Sequence, residues 1–161
     1  MKNRKIIIRR SELVKKIRAL KKQGKKIVFT NGCYDLLHGG HVRFLAKARK
    51  MGDILVLALN SDASVRRIKG PKRPITPQSE RTELMSYLES VDIVTLFNEN
   101  DPYQIISDIV PDVLVKGGDW GLDKIIGADV VKANGGKVKN IKYENGKSTT
   151  NIIKKIVEVY K

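Results

Sequence analysis

A chain of 161 residues, 41% apolar and 30% charged, has the size and composition of one soluble domain built on a single core. Its lone cysteine excludes an internal disulfide, its apolar runs are too short to span a bilayer, and the basic start at residues 2–5 leads into only three isoleucines before Arg9-Arg10, too few for a signal peptide. The expectation is a cytoplasmic protein with no membrane partner. A formal net charge of +15 invites nucleic acid as a ligand, but the basic residues are spread over the whole length and the few aromatic residues are not interleaved with them, so no nucleic-acid partner is expected.

In chain order, Ile6-Ile7-Ile8 within a basic stretch is either an edge strand or an ordered tail, and with the helix after it could support a homodimer. Ser11 is a candidate N-cap for a helix carrying Leu13, Val14, Ile17 and Leu20 at helical spacing, with Gly24 as its stop. Residues 26–30 form the first strand. A glycine-containing loop follows, then a helix with Val42, Phe44, Leu45, Ala46 and Ala48, then the continuous apolar strand Ile54–Leu59 ending in Asn60-Ser61-Asp62. Three prolines and a glycine between 61 and 80 predict an extended basic loop on the ligand side of the sheet, with Lys69 and Arg73 as candidate phosphate contacts.

A helix from about 79 to 89, a strand over 91–97 and a short helix entered at Asp101-Pro102 come next. A strand over 112–115 delivers Lys116-Gly117-Gly118-Asp119, a helix spans about 123–133, a fifth strand spans 137–143, and Ser148-Thr149-Thr150 caps a final helix. Five strands alternating with helices predict an open parallel α/β sheet with all these loops on one edge.

Both histidines of the chain lie in the loop after the first strand, Thr30-Asn31-Gly32-Cys33-Tyr34-Asp35-Leu36-Leu37-His38-Gly39-Gly40-His41. In parallel sheets ligands sit at the carboxyl ends of strands, which is where this loop falls. The Gly39-Gly40 step lets phosphate oxygens approach helix N–H groups that have no intrahelical partner. His38 and His41, three apart, would fall on one side of the first helical turn and face one anion. A zinc site is the competing reading, but two histidines and one cysteine lack the usual ligand count and spacing, so no protein-held metal site is expected.

Gly32-x-x-Asp35-x-x-His38-x-Gly40-His41 resembles the HxGH motif of the cytidylyltransferase-like nucleotidyltransferases. Four ordered pieces, at 30–41, 60–64, 115–119 and 148–153, resemble the adenylyltransferase domain of the ADP-heptose synthases over about Lys25 to Ile156. The glycerol-3-phosphate cytidylyltransferases are more distant: they share the HxGH piece, a Gly-Asp-Trp like Gly118-Asp119-Trp120 and the Ser-Thr-Thr, but carry an arginine where this chain has Tyr143.

The resemblance implies a Rossmann-like open parallel five-stranded sheet with helices on both faces, forming a single domain over residues 1–161, of which 1–24 is an N-terminal extension and helix and 25–161 the core. It implies transfer of AMP from ATP, with Mg²⁺, to a heptose 1-phosphate by in-line attack. By the same resemblance His38 and His41 contact the α- and β-phosphates with Lys69 beside them. Thr30, Asn31, Gly32, Cys33, Tyr34, Gly40, Asn60, Arg73, Gly118, Ser148, Thr149 and Thr150 hold the nucleotide, and Asp35, Lys116 and Asp119 meet either the sugar or the metal. The family often carries a heptose kinase on the same chain; here that phosphorylation is expected to fall to another protein, feeding heptose into lipopolysaccharide or surface glycans. The other readings are a cytidylyl- or adenylyltransferase acting on glycerol 3-phosphate or flavin mononucleotide, and a basic nucleic-acid-binding protein.

Overall fold

The apolar runs at 27–29, 54–59 and 113–115 have no polar face, so a strand made from them must be covered on both sides. They are. The structure, a computed structural model, describes residues 5–118, 121–142 and 148–160. Five parallel strands, β1 (Ile27–Gly32), β2 (Ile54–Asn60), β3 (Ile93–Phe97), β4 (Val113–Gly117) and β5 (Lys137–Ile141), form one sheet in the order β3-β2-β1-β4-β5. Because side chains alternate along a strand, Ile27 and Phe29 of β1 face one core with Val56 and Ala58 of β2, while Val28 faces a second with Leu55, Leu57 and Leu59.

The helices divide between these two cores. Leu13 and Ile17 of α1 (Arg10–Lys22), Ile105, Ile106 and Ile109 of α5 (Tyr103–Ile109), and Ala128 and Val131 of α6 (Ala128–Ala133) cover the first. Phe44, Leu45 and Ala48 of α2 (Gly39–Arg49) and Met85 of α4 (Gln78–Ser86) cover the second. The chain moves outward from β1 through β2 to β3, then returns to lay β4 and β5 on the other side of β1. That reversal changes the face on which a right-handed crossover deposits its helix, which is why α5 and α6 lie opposite α2 and α4. It also opens a crevice between the carboxyl ends of β1 and β4, the place where open α/β sheets bind ligands.

Several local features depart from the expectations. Residues 61–80 are not one extended loop: Asp62–Lys69 forms α3, started by Ser61, whose Oγ accepts the Ser64 N–H at 3.1 Å, and only 70–77 is loop. The capping geometry at Ser61-Asp62 outweighs the basic, poorly apolar sequence that follows, of which Val65 is the buried anchor. The N-cap of α1 is Arg9, so Ser11 lies inside the helix. The helix expected over 123–133 is interrupted: a 3-10 turn at Leu122–Lys124 is followed by α6, because Gly127 takes φ +84° where an added Cβ would meet Ile106 Cδ1 at 2.7 Å.

Residues 5–7 form a short parallel extension of the sheet. Ile7 N–H donates to Val94 O and Val94 N–H to Lys5 O, each at 2.9 Å, leaving Ile8 exposed. The last helix, α7 (Thr149–Val159), is capped by Ser148, whose Oγ accepts the Asn151 N–H at 3.1 Å. Asp119 and the Tyr143 end of the fifth strand lie outside the described residues.

Candidate active site

The loop after β1 turns sharply because Tyr34 adopts a left-handed conformation, φ 47°. Its ring then lies over Gly32, where an added Cβ would sit 2.8 Å from Tyr34 Cε2, so this glycine is required by the tyrosine above it. The same ring tilts against His41, centroids 4.8 Å apart. His41 in turn stacks on His38, with centroids 3.7 Å apart and planes 20° from parallel, as their spacing at the head of α2 predicts. His38 is the N-cap of α2, and its carbonyl accepts the His41 N–H at 2.9 Å.

Burial, and then the neighbouring His38 charge, lower the His41 pKa from 6.5 to about 4, and its buried Nδ1 has no hydrogen-bond partner among the described residues. A neutral imidazole with an uncommitted nitrogen at a helix N-terminus is a polar group prepared for a ligand.

These residues open into a cavity of about 480 Å³ at the crevice between β1 and β4. Of the residues expected at the site, Asn31, Gly32, Cys33, Tyr34, Asp35, His41, Asn60, Lys69, Arg73, Lys116, Thr149 and Thr150 line it. Thr30 does not: it is wholly buried within β1, and its Oγ1 has no partner among the described residues. His38, Gly40, Gly118 and Ser148 also lie outside the lining, the first behind His41 and the last as the cap beneath Thr149. Phe44, Ile68, Asn100, Asp101, Pro102 and Ile126 line the cavity without having been expected there, and Gly117, from the glycine-containing end of β4, joins them. Ile68 reaches it because α3 is a helix. Phe44 comes from the middle of α2, and Asn100, Asp101 and Pro102 come from the turn that enters α5.

Lys69, Arg73 and Lys116 bring positive charge to the cavity wall. Lys116, on β4, donates to Asn31 Oδ1 on β1 at 2.7 Å and so bridges the crevice; burial lowers its pKa from 10.5 to about 8. Cys33 is pushed the other way, because burial raises its pKa more than Lys69, Arg81 and Arg73 lower it. Its thiol lies 3.9 Å from Asn60 Oδ1, and Asn60 Nδ2 donates to Ser64 Oγ at 2.9 Å.

Two further contacts organise the walls. Asp35 is almost completely buried and accepts hydrogen bonds from Arg73 Nε and from the backbone N–H groups of Ile75 and Thr76. Arg81, which has no exposed side-chain surface, was not among the expected site residues. Its Nη1 donates to Cys33 O at 2.6 Å, its Nη2 to Asn60 O at 2.9 Å and Asp62 Oδ1 at 2.7 Å, and its Nε to Thr76 O at 3.0 Å. One guanidinium thereby ties the ends of β1 and β2 to α3 and to the loop before α4. The sequence signal was its place four residues before Met85, on the buried face of α4.

Comparison with known proteins bears directly on this geometry. Residues 29–155 match the family model described as Cytidylyltransferase-like. The chain belongs to that family. The cytidylyltransferase-like match takes in β1 from Phe29 onward, the stacked histidines, the crevice and the first turns of α7, and it makes the chain a nucleotidyltransferase. The bifunctional protein HldE of Trichlorobacter lovleyi is 50% identical over 160 residues, covering 99% of this chain and 31% of that protein. HldE of Geobacter sulfurreducens is 54% identical over 144 residues, covering 89% of this chain and 29% of that protein. The chain thus spans about three tenths of the length of the curated relatives it matches. Among solved structures, the lipopolysaccharide core biosynthesis protein of Thermoplasma volcanium is 30% identical, with a TM-score of 0.60, over 75% of this chain and 98% of that one.

Proposed function

We propose that this chain transfers the adenylyl group of ATP to a heptose 1-phosphate. A phosphate oxygen of the sugar phosphate forms a bond to the α-phosphorus of ATP, the bond from that phosphorus to the oxygen bridging to the β-phosphate breaks, and pyrophosphate leaves with the electron pair. No covalent bond to the protein forms, so the protein contributes positioning and stabilisation of charge on the phosphoryl oxygens. The observation that carries this reading is the stacked His38–His41 pair at the head of α2, opening on a cavity with Lys69, Arg73 and Lys116 in its walls. Identity of 50–54% to HldE proteins and the resemblance to ADP-heptose synthases support ATP and a heptose 1-phosphate as the pair of substrates.

His41 supplies a neutral N–H to the phosphates, and a bound anion favours its protonated form as charge develops. Thr149 and Thr150 close the cavity from the head of α7, held there by the Ser148 cap and by the Thr149 hydroxyl donating to Leu36 O at 3.4 Å. Among the described residues no three acidic, histidine or cysteine side chains are grouped to hold a metal ion. Asp35 is committed to Arg73 and two N–H groups, whereas Asp101 has one oxygen on the Tyr103 N–H and the other uncommitted among the described residues. This donor set fits Mg²⁺ that enters on the triphosphate, since that ion keeps most of its waters and needs only one or two carboxylates; Asp101 would hold it. Bound there, it would offset phosphate charge. No helix among the described residues is long and apolar enough to cross a membrane.

Pyrophosphate release with Mg²⁺ tests the proposal, with ATP and CTP offered separately, each with both anomers of heptose 1-phosphate and with glycerol 3-phosphate. Release with ATP and one heptose anomer is expected. Release with CTP and glycerol 3-phosphate instead keeps the chemistry and overturns the substrates. His41→Ala should lower turnover about 100-fold or more, the usual loss for a donor to developing oxyanion charge.

A further inference from the structure

The two oxygens of Asp35 have separate partners. Oδ1 accepts the backbone N–H groups of Ile75 and Thr76, both at 2.8 Å, and Oδ2 accepts Arg73 Nε. The Asp35 side chain is 1% exposed and that of Arg73 is 18% exposed, and both residues belong to the cavity wall. An arginine held through Nε alone keeps the paired Nη1 and Nη2 end of its fork, the end that matches phosphate oxygens two at a time. Among the described residues those Nη atoms have no hydrogen-bond partner.

We propose that Asp35 is a positioning residue that aims the Arg73 fork into the cavity, where the Nη donors take a phosphate group of the bound nucleotide. This rests on the nucleotidyltransfer reading above. A phosphate contact by Asp35 itself is disfavoured on two counts: its oxygens are already satisfied, and a carboxylate repels the anion the site is built to hold. Pinning a long side chain before the ligand arrives also removes ordering cost from the binding step. The loop 70–77 and its arginine are therefore set in place by a residue of the β1 loop, about forty positions earlier in the chain.

Asp35→Asn separates the two tasks of the carboxylate. Its amide oxygen keeps both backbone N–H groups, while its NH₂ opposes Arg73 Nε, donor against donor. Calorimetric ATP binding to the whole chain, in a cycle with Arg73→Ala, reads the coupling. Asp35→Asn and Arg73→Ala should each raise the Kd about 10-fold, and the double variant should match Arg73→Ala within about 2-fold, since contacting residues in one network are not additive.

Hydrogen exchange at the Ile75 and Thr76 amides should stay slow in Asp35→Asn. Arg73→Lys, which keeps the charge and loses the fork, should bind as weakly as Arg73→Ala. Additive losses overturn the proposal, as does loss of amide protection in Asp35→Asn or full recovery with lysine. Should the unaltered chain bind neither ATP nor CTP, the nucleotidyltransfer reading falls. The same cycle run with tripolyphosphate then decides Asp35 alone: a non-additive double variant supports the aiming role, and additivity or no binding overturns it.

Discussion

His41 and Lys116 face the same cavity, burial lowers the pKa of both, and each makes a separate prediction in its own pH range. The folded chain refuses a proton at His41 until about pH 4, whereas the unfolded chain accepts one near 6.5. The unfolded state therefore binds more protons between these values, and stability is fully present above about 6.5 and falls as pH drops toward 4. Urea midpoints measured between about pH 7 and pH 4.5 should fall less steeply in His41→Asn than in the unaltered chain. Lys116 gives up its proton at about 8 in the folded chain, against 10.5 in the unfolded one. Raising the pH through this window relieves the cost of a buried charge and stabilises the fold. The same step removes a cation from the cavity, so ATP binding should weaken from about pH 7 to pH 9, and in Lys116→Met that decline should be lost. Stability and affinity then move in opposite directions over one pH interval.

Among the elements, α3, the loop 70–77 and α4 are tied to the ends of β1 and β2 through Arg81. Replacing it by Met keeps bulk but leaves the Asp62 carboxylate and the carbonyls of Cys33, Asn60 and Thr76 without their donor. Breaking such a network should cost about 3 kcal/mol of unfolding free energy, measured by urea denaturation, with Asp62 partly hydrated and so at the lower end of the range for buried pairs. This network also marks where the sequence stops being legible. Strands β1, β2 and β4 announce themselves through their apolar runs, and the histidine pair is brought together once α2 begins at Gly39 behind the His38 cap. Asp35 carries no such mark, because whether its carboxylate meets a ligand or the N–H groups of Ile75 and Thr76 depends on a loop fold set by distant contacts. Arg81 is hidden for a related reason: an arginine counts as exposed until its acceptors, two of them strand-end carbonyls, are known. The helix α3 was obscured by Arg66, Arg67 and Lys69 ahead of Gly70-Pro71, a basic and turn-like composition in which only Val65 signals a buried side.

For the whole molecule, the +15 charge has to be weighed by direction as well as by size. Lys69, Arg73 and Lys116 surround the cavity at the carboxyl ends of the strands. Lys21, Lys25, Lys26 and Lys137 ring a hollow formed by Gly24, Asp112 and Gly135-Gly136, which precede β1, β4 and β5 at the opposite edge of the sheet. Arg10, Lys15, Arg18 and Lys22 follow a groove along α1, where Arg10 is already paired with Glu99 and Asp108. Groups turned in three directions cannot neutralise consecutive phosphates of one duplex, so each encounter would release few counterions. Fluorescence anisotropy with a duplex DNA should accordingly give a slope of log K against log salt no steeper than about −4, with binding gone by about 0.2 M salt. ATP, held inside a formed cavity where charges are screened less than on an open surface, should remain bound at the same salt. A slope of about −6 or steeper, with tight duplex binding surviving at about 0.15 M salt, would mean that the basic faces act together on a polyanion and would assign the charge to a nucleic-acid partner.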